Sequence, residues 1–288
     1  ISPWNLPFGL TVAPLTSALA AGNRALLKPS EFVPETAALF AEVVPRYFAE
    51  EEVAVVTGGA AISQQFAELP FDHLLFTGST RIGAKVMQSA AKNLVPVTLE
   101  LGGKSPVVIG RSAKVELAGT RLTFGKLLNG GQLCLSPDYV LVPEELEAQL
   151  IARVVSETQS MYPNITENTD YAGVFDERHF ARLLGYIDDA VAKGAKLTIV
   201  GADKTRASEN NRRMPLHILQ NVTEDMQVMH EEIFGPILPV MTYNDITEVP
   251  DKIEPRRNPL ALYYFGKDKA EQEYLLNHVP SGGACIND

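Results

Sequence analysis

Two cysteines in 288 residues, Cys134 and Cys285, cannot make a disulfide framework, and they fit a reducing compartment in which Cys134 stays a thiol. The five histidines, His73, His179, His217, His230 and His278, show no paired spacing with cysteine or glutamate, so no metal-ligand pattern is present. His230 with Glu231 and Glu232 comes nearest and reads as an exposed polar turn. Basic residues are in the minority, 25 Lys and Arg against 35 Asp and Glu, and a net charge of -10 removes any general electrostatic basis for holding nucleic acid or an anionic membrane. No apolar run is long enough to span a bilayer, and the first residues lack the charged, apolar and cleavage regions of a secretory signal, so the cytoplasm is the expected compartment. Also missing are a GxGxxG fingerprint, a GxSxG elbow, a papain-like or caspase-like surround for Cys134, internal repeats and low-complexity tracts.

What is present begins with 45% apolar residues, enough to bury one large or two ordinary domains. The chain opens without methionine on ISPWNLPF, the end of a strand entering a Pro-rich loop, and stops on GGACIND, just as another strand forms. Both interruptions point to an internal piece of a longer protein. In between, strands and helices alternate at intervals of roughly 20 to 30 residues, the pattern of a parallel sheet with helices on both faces. The segment LTVAPLTSALAAGN predicts a helix closing at Gly22 and Asn23, ALLKPSE a short strand, Pro34 the start of the next helix, and Pro45 its end or kink. VAVVTG, LLFTG, PVTLEL, SPVVIG, YVLVP, KLTIVG, PLHILQNV, LALYYFG and GGACIND read as further strands. Helices follow FTGST and are expected over residues 144 onward, 176–193 and DKAEQEYLLNHV. The polar tract GADKTRASENNRR reads as an exposed loop or hairpin insertion.

Chemistry concentrates at a few of these junctions. Lys28, Ser30 and Glu31 fall just beyond the carboxyl end of a strand, where open α/β sheets bind ligands. Gly78-Ser79-Thr80 lies between a strand and a helix, an arrangement that aims backbone N–H groups at a phosphate or simply caps the helix. Glu100 ends a strand before Gly102-Gly103, either solvated at the sheet rim or held in a cleft as a general base. Cys134 follows a helix ended by Gly130 and Gly131 and precedes Pro137. Backbone N–H groups uncommitted to a ladder favour a thiolate there, whereas a small buried hydrophobe is the structural alternative. A Cys-His hydrolase remains open at this level, because Cys134 could meet any of the histidines in space.

PWNLP, KPSE, FTGSTRIG, LELGGKSP, GQLC, EEIFGP and the final GGACIND occur in the order and approximate spacing of the NAD(P)-dependent aldehyde dehydrogenases. The resemblance covers nearly the whole chain, and within the superfamily FDHLLFTGST and PDYVLVP look most like the class 3 and coniferyl aldehyde dehydrogenase branch. It implies an α/β fold, with part of a doubly wound Rossmann-type coenzyme domain over 1–101 and an α/β catalytic domain over 102–288. It further implies Cys134 as nucleophile, Glu100 as general base and Asn5 as oxyanion donor. NAD, or NADP, would be held by Trp4, Lys28, Ser30, Glu31, Thr77, Gly78, Ser79, Leu101, Glu232 and Phe234, with Asn287 supporting the site. The implied reaction oxidises an aldehyde, aromatic like coniferaldehyde or aliphatic, to the acid through a cysteine thioester, in a homodimer or homotetramer. Leu6, Leu128, Leu133 and Leu135 flank the proposed site and suggest an apolar funnel. An acylating relative that passes the thioester to coenzyme A or phosphate, and a non-catalytic relative keeping the fold, are the alternatives.

Overall fold

The computed structural model describes residues 1–201, 207, 211–256 and 259–288. They form two compact units, Ile1–Gly102 and Gly103–Asp288.

In the first unit, α1 (Gly9–Ala20) ends where Gly22 turns to φ +79°, a left-handed angle that glycine adopts without a Cβ penalty. β1 (Ala25–Leu27) follows, and α2 (Pro34–Val43) starts on proline, whose fixed φ suits the first helical position. Pro45 then tightens the chain into a 3-10 turn over Val44–Arg46. The remaining elements are β2 (Val53–Val55), α3 (Ala60–Ala67), β3 (Leu74–Gly78), α4 (Thr80–Ala91) and β4 (Val97–Leu101). All pairing is parallel, in two separate pairs, β1 with β2 and β3 with β4. The first two residues join the pairs. Ile1 donates to Leu75 O (2.8 Å) and accepts from Thr77 N (3.1 Å), while Ser2 N donates to Lys28 O (3.1 Å). Phe40, Val44 and Val53 make one small core, and Phe66, Leu74, Phe76, Val86 and Ala90 another.

The second unit contains β5 (Pro106–Ile109), α5 (Val115–Leu127), β6 (Tyr139–Pro143), α6 (Glu144–Met161), α7 (Glu177–Ala192), β7 (Lys196–Val200) and β8 (Leu216–Gln220). β9 (Ile237–Tyr243), α8 (Val249–Ile253), β10 (Ala261–Phe265), α9 (Lys269–His278) and β11 (Gly283–Ile286) complete it. Its seven-stranded sheet runs β11-β10-β5-β6-β9-β8-β7, parallel except for the β7–β8 pair. Of the GADKTRASENNRR stretch between β7 and β8, residues 202–206 and 208–210 lie outside the described residues.

β5 and β6 are buried at every position, which explains their unbroken apolar sequences. Alternate residues serve opposite faces. Val108, Tyr139 and Leu141 pack with residues of α7, α8 and α9, whereas Val107, Ile109, Val140 and Val142 pack with α5 and α6. Asp176 caps α7 by accepting from His179 N (2.7 Å), and Asp268 caps α9 through Ala270 N (2.8 Å), each satisfying a helix-end donor. The sequence reading passed over residues 245–256, where Asp245 and Glu248 build a capping box ahead of α8.

Because Leu141 is fully buried, Leu141→Ala should cost about 2–5 kcal/mol in chemical denaturation. Leu276→Ala, at a position 48% exposed, should stay within about 0.5 kcal/mol.

Candidate functional site

In the first unit the candidate residues gather at the carboxyl ends of parallel strands. Past β1, Lys28 is buried, donates from Nζ to Pro29 O (2.8 Å) and pairs with Glu31 at 3.6 Å. Burial lowers the Lys28 pKa and Glu31 opposes that shift, so the two charges arrive already paired. Ser30, also buried, accepts from Phe32 N through its hydroxyl (3.3 Å). Strand register places Thr77 directly beside Glu100 and Gly78 beside Leu101. A Cβ on Gly78 would meet the Phe76 ring at 2.5 Å, so this strand end requires glycine. Ser79 precedes α4 without a side-chain cap, its carbonyl accepts from Ile82 N (3.0 Å) and Gly83 N (2.9 Å), and the N–H groups of Thr80 and Arg81 head the helix. Glu100 is exposed. Trp4 and Asn5 are half-buried in the turn before α1, a turn tied down by Thr11, whose hydroxyl donates to Pro7 O (2.6 Å).

In the second unit the candidates lie at the other end of the strands, just before β6 and β9. α5 stops at Leu127, and Asn129, Gly130 and Gly131 take φ of +53°, +62° and +75° to redirect the chain. Gly131 meets a second requirement: a Cβ there would lie 2.7 Å from Gly235 O and 2.9 Å from Lys126 O. Gln132 then anchors the loop from a buried side chain, donating to Asn129 O (2.9 Å) and Gly173 O (3.1 Å) and accepting from Phe175 N (2.8 Å). Cys134, half-buried, rides the next turn, closed by Ser136 N donating to Leu133 O (3.0 Å). From β10, Tyr263 Oη donates to Leu135 O at 2.6 Å and fixes the far side of that turn. Near Cys134 in the sequence, Phe124, Leu128 and Leu135 are 51%, 43% and 50% exposed.

Beneath this loop Lys104 and Asp138 form a buried ion pair. Lys104 Nζ also donates to Val228 O (2.8 Å) and Glu231 O (3.0 Å), and Asp138 accepts from Ile233 N (2.9 Å). Arg182 of α7 adds a bond to Ile233 O (2.8 Å). These bonds pin the segment that carries Glu232 and Phe234. Glu232 is therefore no part of an exposed polar turn, although His230 and Glu231 are exposed as expected. Burial, reinforced by Asp138, pushes the Glu232 carboxyl up to about 8, against the opposing effects of the Gly103 N–H, Lys104 and Arg182. Phe234 takes φ +51°, a costly angle for a bulky residue. Asn287 sits past the carboxyl end of β11, accepting from Gly266 N and donating to Gly266 O, both at 2.9 Å.

Sequence reasoning passed over Lys104, Gln132, Asp138 and Tyr263. A signal existed for the ion pair, since a lysine stands just before one wholly apolar strand and an aspartate just before another. Lys126 was also missed. Its ammonium is fully buried with no hydrogen-bond partner among the described residues, and burial lowers it to about 8.

Two substitutions separate these lysines. Lys104→Met would strand Asp138 and should cost about 3–5 kcal/mol. Lys126→Met removes an unpartnered charge and should leave stability unchanged or raise it by about 1–2 kcal/mol. Thermal melts of the full-length protein distinguish them, and equal losses would show that Lys126 has a partner of comparable worth.

Comparison with known proteins adds to this geometry. The aldehyde dehydrogenase family model matches residues 1–288. A probable coniferyl aldehyde dehydrogenase of Caulobacter vibrioides is 47% identical over 289 residues, covering 100% of this chain and 60% of that protein. Aldehyde dehydrogenase family 3 member A2 of mouse is 39% identical, covering 100% of this chain and 58% of that protein. The substrate-bound structure of Staphylococcus aureus AldH superposes with a TM-score of 0.93 at 38% identity, over 100% of this chain and 61% of that one. The chain thus spans about 60% of the length of the curated relatives it matches, and it belongs to the aldehyde dehydrogenase family.

Proposed function

We propose that the protein containing this chain oxidises an apolar aldehyde to its carboxylic acid with NAD(P), and that Cys134 is the nucleophile. The observation that carries the reading is the half-buried Cys134 on a turn that follows Gly130 and Gly131 and is anchored by Gln132 and Tyr263. A thiolate adds to the aldehyde carbonyl and makes a tetrahedral carbon bearing an oxyanion. The side-chain amide of Asn5 and the backbone N–H of Cys134 stabilise that charge. A bound nicotinamide would supply the hydride acceptor, and loss of hydride from the adduct would leave Cys134 carrying a thioester. Glu100 then deprotonates the water that hydrolyses the thioester and returns the thiolate.

The residues present fit a dinucleotide. Glu31 is suited to accept from a ribose hydroxyl and to disfavour a 2′-phosphate, while its paired Lys28 softens that repulsion, so NAD is preferred and NADP tolerated. Trp4, Ser30, Thr77 and Leu101 would help hold the coenzyme, and Gly78 with Ser79, at the start of α4, would take its pyrophosphate. Glu232 and Phe234 would hold the nicotinamide end of the coenzyme. The exposed side chains of Phe124, Leu128 and Leu135 favour a bulky, apolar aldehyde, and the probable coniferyl aldehyde dehydrogenase of Caulobacter is a relative whose named substrate has that character. No helix among the described residues is long and apolar enough to cross a membrane.

In the full-length protein, Cys134→Ser should abolish NADH formation from aromatic and aliphatic aldehydes while NAD binding persists; near-normal turnover would end the covalent reading. A second expectation follows from Glu232. Its carboxyl ionises only as pH rises through about 8, and only the ionised form accepts from both ribose hydroxyls. NAD affinity should therefore weaken by up to about tenfold for each pH unit below that value. Titrations across this range should show the slope in the wild type and a flat response in Glu232→Gln.

A further inference from the structure

The second cysteine belongs to the same face of the same unit. β10 and β11 pair in parallel with Tyr263 directly opposite Cys285, so both side chains project from one side of the sheet, with their backbones about 4.8 Å apart. It is the side that α5 covers, since Tyr263 packs with the core that includes Val115, Ala118 and Leu122. Tyr263 then reaches from Cys285 to the other thiol's loop, its hydroxyl meeting Leu135 O at 2.6 Å, one residue past Cys134. Burial raises the Tyr263 phenol to about 12, and both Cys285 and Cys134 lie close enough to push it the same way. Two half-buried thiols thus flank one phenol.

We infer that Cys285 is a resolving thiol for Cys134, able to capture its oxidised form in an intramolecular disulfide that shuts the site reversibly. The inference rests on the reading of Cys134 as the reactive thiol. A peroxide supplies the oxidising equivalents. The Cys134 thiolate attacks one peroxide oxygen, the O–O bond breaks, hydroxide leaves, and a sulfenic acid forms. The Cys285 thiolate then attacks that sulfur, the S–S bond forms, the S–O bond breaks, and the departing hydroxide takes up a proton as water. Sulfur loses two electrons and the peroxide gains them.

A disulfide needs Cα atoms within about 7 Å. Cys285 is held in a strand and its thiol lies 3.5 Å from Asp288 O. Cys134 sits outside any ladder, one residue before the carbonyl that Tyr263 holds. Capture in this way protects Cys134 from further oxidation to the sulfinic acid, which thiols do not reverse.

The test uses the full-length protein treated with graded hydrogen peroxide, alkylated, and mapped by mass spectrometry, with activity measured before and after dithiothreitol. Wild-type protein should yield a peptide pair joined through Cys134 and Cys285, with lost activity regained on reduction. Cys285→Ser, compared with its own untreated activity, should accumulate Cys134 sulfinic acid and regain little. Absence of the joined pair, or equal recovery in the variant, would overturn the inference. Because the joined pair is read by mass, it stands or falls separately from turnover, which Cys134→Ser tests.

Discussion

The buried pair between Lys104 and Asp138 is the constraint on which the second unit's site depends. Charges taken out of water are tolerated only when each finds enough partners, and here the partners are chain segments far apart in sequence. The ammonium holds the carbonyls of Val228 and Glu231, and the carboxylate holds the N–H of Ile233. Asp138 N also donates to Ser105 O, so the same residue fixes the entry of β6 beside β5. One ion pair thereby aligns the strand that follows Cys134 with the segment that carries Glu232 and Phe234. Its worth lies in register as much as in stability.

Around that pair, the site is assembled by close backbone approach. Gly131 allows the cysteine loop to lie against Gly235, and Gln132 reaches across to Gly173 and Phe175. The loop is held on both sides of the thiol, while Phe124, Leu128 and Leu135 remain bare.

The two units use their sheets in opposite ways. In the first, Lys28, Thr77, Gly78 and Glu100 stand at the carboxyl ends of parallel strands, the usual place for ligands in α/β sheets. In the second, Lys104, Cys134, Asp138 and Glu232 precede their strands and lie at the amino-terminal edge. At that edge loops, rather than strand ends, carry the candidate groups.

Element order was legible from the sequence alone because its causes are local. Short apolar runs, helical spacing near 3.6, Pro34 at a helix start and Gly22 at a helix end all act within a few residues. The family was legible too, from motifs in order around Cys134 and Glu100, and the match along the whole chain agrees with it. Strand order was not legible, nor was the antiparallel β7, because pairing depends on which apolar faces meet and not on the periodicity within one segment. For that reason only the tertiary structure brought Thr77 beside Glu100, joined Lys104 to Asp138 across 34 residues, and set Tyr263 between Cys285 and the turn of Cys134. Each is a contact between residues distant in the chain, decided by register across a sheet or by a buried charge finding its partner.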